Sequence, residues 1–220
     1  DGVFLWGKSL TNLEKELGVN SQELEEIFSA SFSPAALTKV KRQKKDGQRQ
    51  KEIPLLAGLK DEGFSLFLWS VGDQSWQRKK FERLRASRWI KEDQCFFYSK
   101  DKEKGLIEII ERFCDQNEGQ LLKKVLWVIV DDKIENLEKA DEVLRENKSA
   151  VQWLTYHLRV NDPLANPDAF YHWILEKRSE NPDKEIVLIL DFDGVVVDTQ
   201  RVLLNIVPEK ISNRLRPSYQ

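Results

Sequence analysis

The chain has 220 residues, 40% of them hydrophobic, and its 35 basic and 37 acidic side chains leave a formal net charge of -2. That length predicts one or two domains with a real core, and the near balance of charge excludes a global field drawing in nucleic acid or a membrane surface. No apolar run approaches the ~20 residues that span a bilayer, no signal peptide opens the chain, and Cys95 and Cys114 are too few for a disulfide framework. His157 and His172 stand in no zinc spacing with them. The expectation is a soluble protein of a reducing cytoplasm. Methionine is absent, even at position 1, and the last residues complete no element, so the sequence reads as a fragment open at both ends.

From Ser9 to Gly63 the pattern is helical: Leu10, Leu13 and Leu17 recur at helix spacing, Leu24, Ile27 and Phe28 follow the cap-like Asn20-Ser21, and Ile53 to Leu59 makes a third segment. The basic run from Lys39 to Lys51 lacks interleaved aromatics and reads as a solvated helix end and loop rather than a nucleic-acid patch. Phe64 to Trp69 predicts an apolar strand, ending in Ser70-Val71-Gly72-Asp73 before a helix from Gln74 to Leu84. A shorter strand near Cys95 to Tyr98 precedes the alternating Lys100, Lys102 and Lys104, then a helix carrying Leu106, Ile107, Ile109, Ile110 and Phe113.

Val125 to Val130 predicts another buried strand, running into Asp131 and Asp132 before a helix through Ala140, Val143 and Leu144. Adjacent carboxylates repel, and a bound cation is the simplest compensation at such a strand end. Residues 148–184 predict helical stretches around Val151 to Leu158 and Ala169 to Leu175, with Trp153, Tyr156, His157 and Trp173 as packing residues.

Ile186 to Leu190 carries no polar side chain and ends in Asp191-Phe192-Asp193-Gly194. A run of that kind predicts a strand covered on both faces of a parallel sheet, and ligands bind beyond the carboxyl ends of such strands. Period-two alternation predicts Asp191 and Asp193 on one side of the strand, with Gly194 allowing an immediate turn.

Asp191-Phe192-Asp193-Gly194-Val195 followed by Asp198-Thr199 resembles the first motif of the haloacid dehalogenase superfamily, which is made up mostly of Mg-dependent phosphatases. The resemblance implies that Asp191 attacks phosphorus and becomes an aspartyl phosphate, and that Asp193 is the general acid and base. It further implies Ser70 as a phosphate ligand together with Gly194, and Asp131 and Asp132 as Mg2+ ligands with Asp191 and Asp193. The motif lysine is implied to be Lys100, first after its strand, or else Lys102. Its ammonium offsets charge on the nucleophile and on the transferring group. A mobile helical cap is implied between the first strand and the rest of the core.

Asp1-Gly2-Val3 aligns with Asp193-Gly194-Val195, as if the chain began inside a second copy of the same motif. In the family the first strand lies centrally, between the second and the fourth, and here that strand is almost wholly missing from the amino end. The run 186–190 is the one other strand with the right composition, so it is expected between strands 64–69 and 125–130 and parallel to both. It could fill the gap in cis, as in a circular permutation, or in trans through strand exchange or a dimer, or open a second tandem domain whose cap begins at the helix Arg201 to Leu215.

The resulting expectation is an α/β fold, a three-layer Rossmann-like mainly parallel sheet with a small helical cap. Residues 1–150 would form the core with the cap at about 8–52, 151–184 a helical connection, and 185–220 the segment carrying the motif. The function expected is Mg2+-dependent hydrolysis of a small phosphorylated substrate, without membrane or nucleic-acid partners. The alternatives are a dehalogenase or phosphomutase of the same superfamily, or a non-catalytic regulatory or binding module.

Overall fold

The computed structural model describes residue 22 and residues 32–42, 51–116, 124–147, 151–159 and 162–198. The helices expected at Leu10 to Leu17, Leu24 to Phe28 and Arg201 to Leu215, and most of the cap at 8–52, lie outside the described residues. Within them the order is β1 (Lys39–Arg42), β2 (Lys51–Pro54), α1 (Leu55–Asp61), β3 (Ser65–Val71), α2 (Gln74–Arg83), β4 (Cys95–Tyr98), α3 (Gly105–Gln116), β5 (Val125–Asp131), α4 (Ile134–Asn147), β6 (Gln152–His157), α5 (Pro167–Glu180) and β7 (Glu185–Asp191).

Strands β3 to β7 form one parallel five-stranded sheet in the order β4-β3-β7-β5-β6, flanked by helices on both faces, a Rossmann-like three-layer α/β fold. The last strand in sequence is therefore the middle strand in space. Leu188 stands opposite Leu66 on one side and Val128 on the other. Ile186 to Leu190 are all buried, and each such side chain withdrawn from water contributes roughly 1.5–3 kcal/mol. Both ladder edges of β7 are taken by β3 and β5 of the same chain, so the gap is filled in cis.

Alternation along the strands divides the core into two layers. Leu66, Leu68, Val128, Val130, Leu188 and Leu190 pack against α1, α2 and α5. Phe67, Trp69, Trp127, Ile129, Val187 and Ile189 pack against α3 and α4.

Two stretches differ from the sequence reading. Val151 to Leu158 holds strand β6, which lies beside β5 at the edge of the sheet, and not a helix. An eight-residue run containing Val, Trp, Thr and Tyr fits either period, and the aromatic and β-branched content that favours a strand is what prevails. The ends of the basic run are also strands: β1 and β2 pair antiparallel, with Val40 opposite Ile53. Val40 is buried while Lys39 and Lys41 point outward, so a period-two pattern is present but rests on a single apolar residue. Helix α1 accordingly starts at Leu55, two residues after the expected Ile53.

A candidate acidic metal centre at the carboxyl edge of the sheet

Parallel strands place their carboxyl ends along one edge, and β3, β5 and β7 bring Ser70, Asp131 and Asp191 there. Asp131, Asp132 and Asp191 each offer a carboxylate oxygen within 4.8 Å of the others. Lys102 joins two of them: its ammonium lies 2.6 Å from Asp131 and 2.5 Å from Asp191.

Local structure turns Lys102 inward. Asp101 adopts a left-handed backbone with φ of 50°, and a 3-10 turn over Lys102–Lys104 follows. The Trp69 indole donates to the Lys102 carbonyl at 2.6 Å, and the ammonium sits 4.3 Å above the same ring. Burial opposes the charge on Lys102, but Asp191 and Asp131 outweigh it and hold its pKa above the ordinary value. Lys100, the first choice for the motif lysine, is exposed; Lys102 is the lysine between the carboxylates.

The two adjacent acids differ in their partners. Asp131 accepts from the Lys133 backbone N–H at 2.9 Å and from the Asn136 side-chain amide at 3.0 and 3.2 Å, in addition to Lys102. Asp132 receives no side-chain hydrogen bond from the described residues, and its carboxyl is pushed up to about 6 by burial and then by the neighbouring Asp131. Asp191 is also raised well above the usual carboxylate range, by burial first and with contributions from Asp131 and Asp132, against the pull of Lys102.

Gly194 is part of this geometry. Its φ is +86°, and a Cβ there would lie 2.3 Å from Asp132 Oδ2, so only glycine allows the backbone so close to that acid.

Strand alternation ends at Asp191. Residues 192–197 form a turn closed by Gly194 N–H to Val197 O and Val197 N–H to Phe192 O. Thr38 N–H donates to Val196 O, and Asp198 N–H donates to Ala36 O, so the chain ahead of β1 holds this turn in place. Asp193 leaves the acidic group and enters a second pair instead. Both its oxygens accept from the Lys80 ammonium, at 2.7 and 2.6 Å, and one accepts from the Gln77 amide at 3.1 Å. Asp193 is thus not among the three grouped carboxylates, although its charge is still felt at Asp132.

Ser70 is buried one position beyond the Trp69 that pairs with Asp191. Help from the start of α2 is limited there, because Asp73 caps that helix and accepts from Trp76 N–H at 2.9 Å. Trp153, Tyr156 and Trp173 pack as read: Tyr156 stacks against Phe170 and Trp173, and Trp153 donates to Asp141. His157 stands opposite Asp131 in the sheet register, with Nε2 3.0 Å from the Asp132 carbonyl.

Lys80 and Gln77 are the site residues that sequence reasoning missed. They lie three apart on α2 and share a face with the buried Phe81, a spacing that could have flagged them. The fold and site together define a three-layer α/β protein with an acidic, lysine-bridged cluster at its carboxyl edge. No family model, no curated protein and no solved structure matches the chain.

Proposed function

We propose that the chain is a Mg2+-dependent phosphatase-type hydrolase acting on a small phosphorylated substrate, with Asp191 as nucleophile. The observation that carries the reading is the position of Asp191: it ends the central strand with Asp131, Asp132 and Lys102 around it. The resemblance of Asp191 to Val195 to the haloacid dehalogenase motif points the same way.

The residues suit the ion. Carboxylate oxygens are the hard donors Mg2+ prefers, and three carboxylates around one ammonium, once all are ionised, carry two negative charges that a divalent cation would offset. Asp132, raised in pKa and without a donor on its carboxylate among the described residues, is the best placed to bind directly. Asp191 and Asp131 complete the set. When bound, the ion would screen the repulsion between nucleophile and phosphate and polarise the phosphoryl oxygens.

The chain's own residues then divide the work. Asp191 attacks phosphorus as the bond to the leaving oxygen breaks, and Asp193 gives that oxygen its proton. Water next attacks the aspartyl phosphate, its proton passes to Asp193, and the bond between phosphorus and Asp191 breaks. Lys102 offsets charge on Asp191 and on the transferring group, and the family resemblance assigns the phosphate oxygens to Ser70 and to the backbone at Gly194. No helix among the described residues is long and apolar enough to cross a membrane.

The test is hydrolysis of p-nitrophenyl phosphate with and without Mg2+, followed by acid quenching to isolate a hydroxylamine-labile phosphoprotein. Metal-dependent turnover through such a species is the expected result. A chain that binds Mg2+ but cleaves no aryl phosphate would instead be a binding module of the same fold.

A further inference from the structure

We infer that Lys80 and Gln77 are positioning residues, which hold the Asp193 carboxylate outside the metal group and aim it for proton transfer. This rests on the phosphatase reading above.

The geometry is that of a clamp. Lys80 is 1% exposed and places its ammonium between both Asp193 oxygens, over the Phe192 ring at 5.2 Å and the Phe32 ring at 5.6 Å. Two aromatic faces and a bidentate carboxylate leave that ammonium little freedom. Gln77, 2% exposed, spends its amide N–H groups on Asp193 and on the Val71 carbonyl at 3.2 Å. Its Oε1 is buried without a hydrogen-bond partner among the described residues.

A buried amide oxygen without a donor is costly, so packing alone gives no reason for an amide at this position. An amide that must donate to Asp193 does give one. Gly72 fits the same account, since a Cβ there would lie 3.0 Å from Gln77 Nε2 and crowd it from its place. Helix α2 therefore supplies two donors, three residues apart, to one carboxylate, while the metal group draws its members from β5 and β7.

Two measurements on the 220-residue chain test this. The first compares p-nitrophenyl phosphate, whose leaving group needs little protonation, with an unactivated alkyl phosphate, whose alkoxide needs it greatly. Lys80→Met and Gln77→Leu should lower kcat/KM, which reports the step in which the leaving group departs, at least tenfold more on the alkyl phosphate than on the aryl phosphate, with Lys80→Arg recovering most of the Lys80→Met loss. A residue of merely structural importance would lower both alike, and equal losses overturn the inference.

The second measurement needs no turnover. The double variant Lys80→Met/Asp193→Asn removes both charges of the pair together, and its Mg2+ affinity is followed by calorimetry. An affinity within twofold of the parent is expected if Asp193 is clamped away from the metal, whereas a tenfold loss would make Asp193 a ligand and overturn the clamp. Should the parent chain cleave neither ester, the phosphatase reading fails, while this calorimetric result still decides whether the clamp excludes Asp193 from the metal.

Discussion

Two lysine–aspartate pairs stand two residues apart on the same motif, and their settings are opposite. Asp191 ends a strand, and sheet register fixes it beside Asp131, so its partner Lys102 is shared and enclosed, 3% exposed. Asp193 follows a turn and is held by Lys80 and Gln77 of helix α2, and its side chain keeps 23% exposure. The first pair belongs to a group of three carboxylates around one ammonium, whereas in the second one ammonium meets both oxygens of one carboxylate. On the proposed reading, a cation would therefore bind on the Asp191 side, and Asp193, the more exposed of the two, would exchange protons with solvent.

The largest expected effect breaks the first pair chemically. Asp191→Asn keeps volume but removes the nucleophile, and kcat on an aryl phosphate should fall by at least ~10³-fold, the scale on which a covalent nucleophile acts. Steady-state kinetics checks this, and an active variant would remove Asp191 from that role. Next come the lysines, compared by urea denaturation without Mg2+. Lys102→Met leaves buried carboxylates uncompensated and should cost about 3–5 kcal/mol. Lys80→Met should cost less, about 1–2 kcal/mol, because water still reaches Asp193. Equal losses would erase the distinction between the two pairs.

Much of the scaffold was legible because buried parallel strands are written as uninterrupted apolar runs. Phe64 to Trp69, Val125 to Val130 and Ile186 to Leu190 all fell where expected, including β7 between β3 and β5. The acids were legible for the same reason, since each follows directly on such a run. What failed was local pattern of low contrast. Strand β6 was read as helix because its burial is only partial along the whole edge, and the β1–β2 hairpin was hidden by lysines, arginine and glutamate that also suit a helix.

Within the site, the choice of Lys102 over Lys100 depended on a left-handed Asp101 and on an indole donor from β3, neither of which spacing encodes. Lys80 sat in a run with Arg78 and Lys79, where a buried cation looks like part of a solvated face.

Asp131 and Asp132 should separate as well, with an effect at Asp132 of the same size as that of Lys80→Met but of opposite sign. Asp131 is held by Lys102, Asn136 and the Lys133 N–H, whereas Asp132 has no such donor among the described residues and is raised from the ordinary 3.8 to about 6. A raised carboxyl means that the folded chain binds this proton more tightly than the unfolded chain does, so stability falls as pH rises from about 4 to about 6 and the loss is constant above that. In the metal-free protein at pH 7, Asp132→Asn should therefore stabilise by about 2 kcal/mol or somewhat less, given the partial exposure of the side chain. The gain should fade toward pH 4, where the folded carboxyl is already protonated and the unfolded one is close to its own midpoint. Asp131→Asn should destabilise instead, because it weakens the compensation of Lys102. Saturating Mg2+ should reverse the order for Asp132, since the parent gains binding free energy that the variant largely lacks. Thermal melts at pH 4 and 7, with and without Mg2+, check each of these. A stabilisation by Asp132→Asn that Mg2+ leaves untouched would mean that the ion does not bind at this carboxylate.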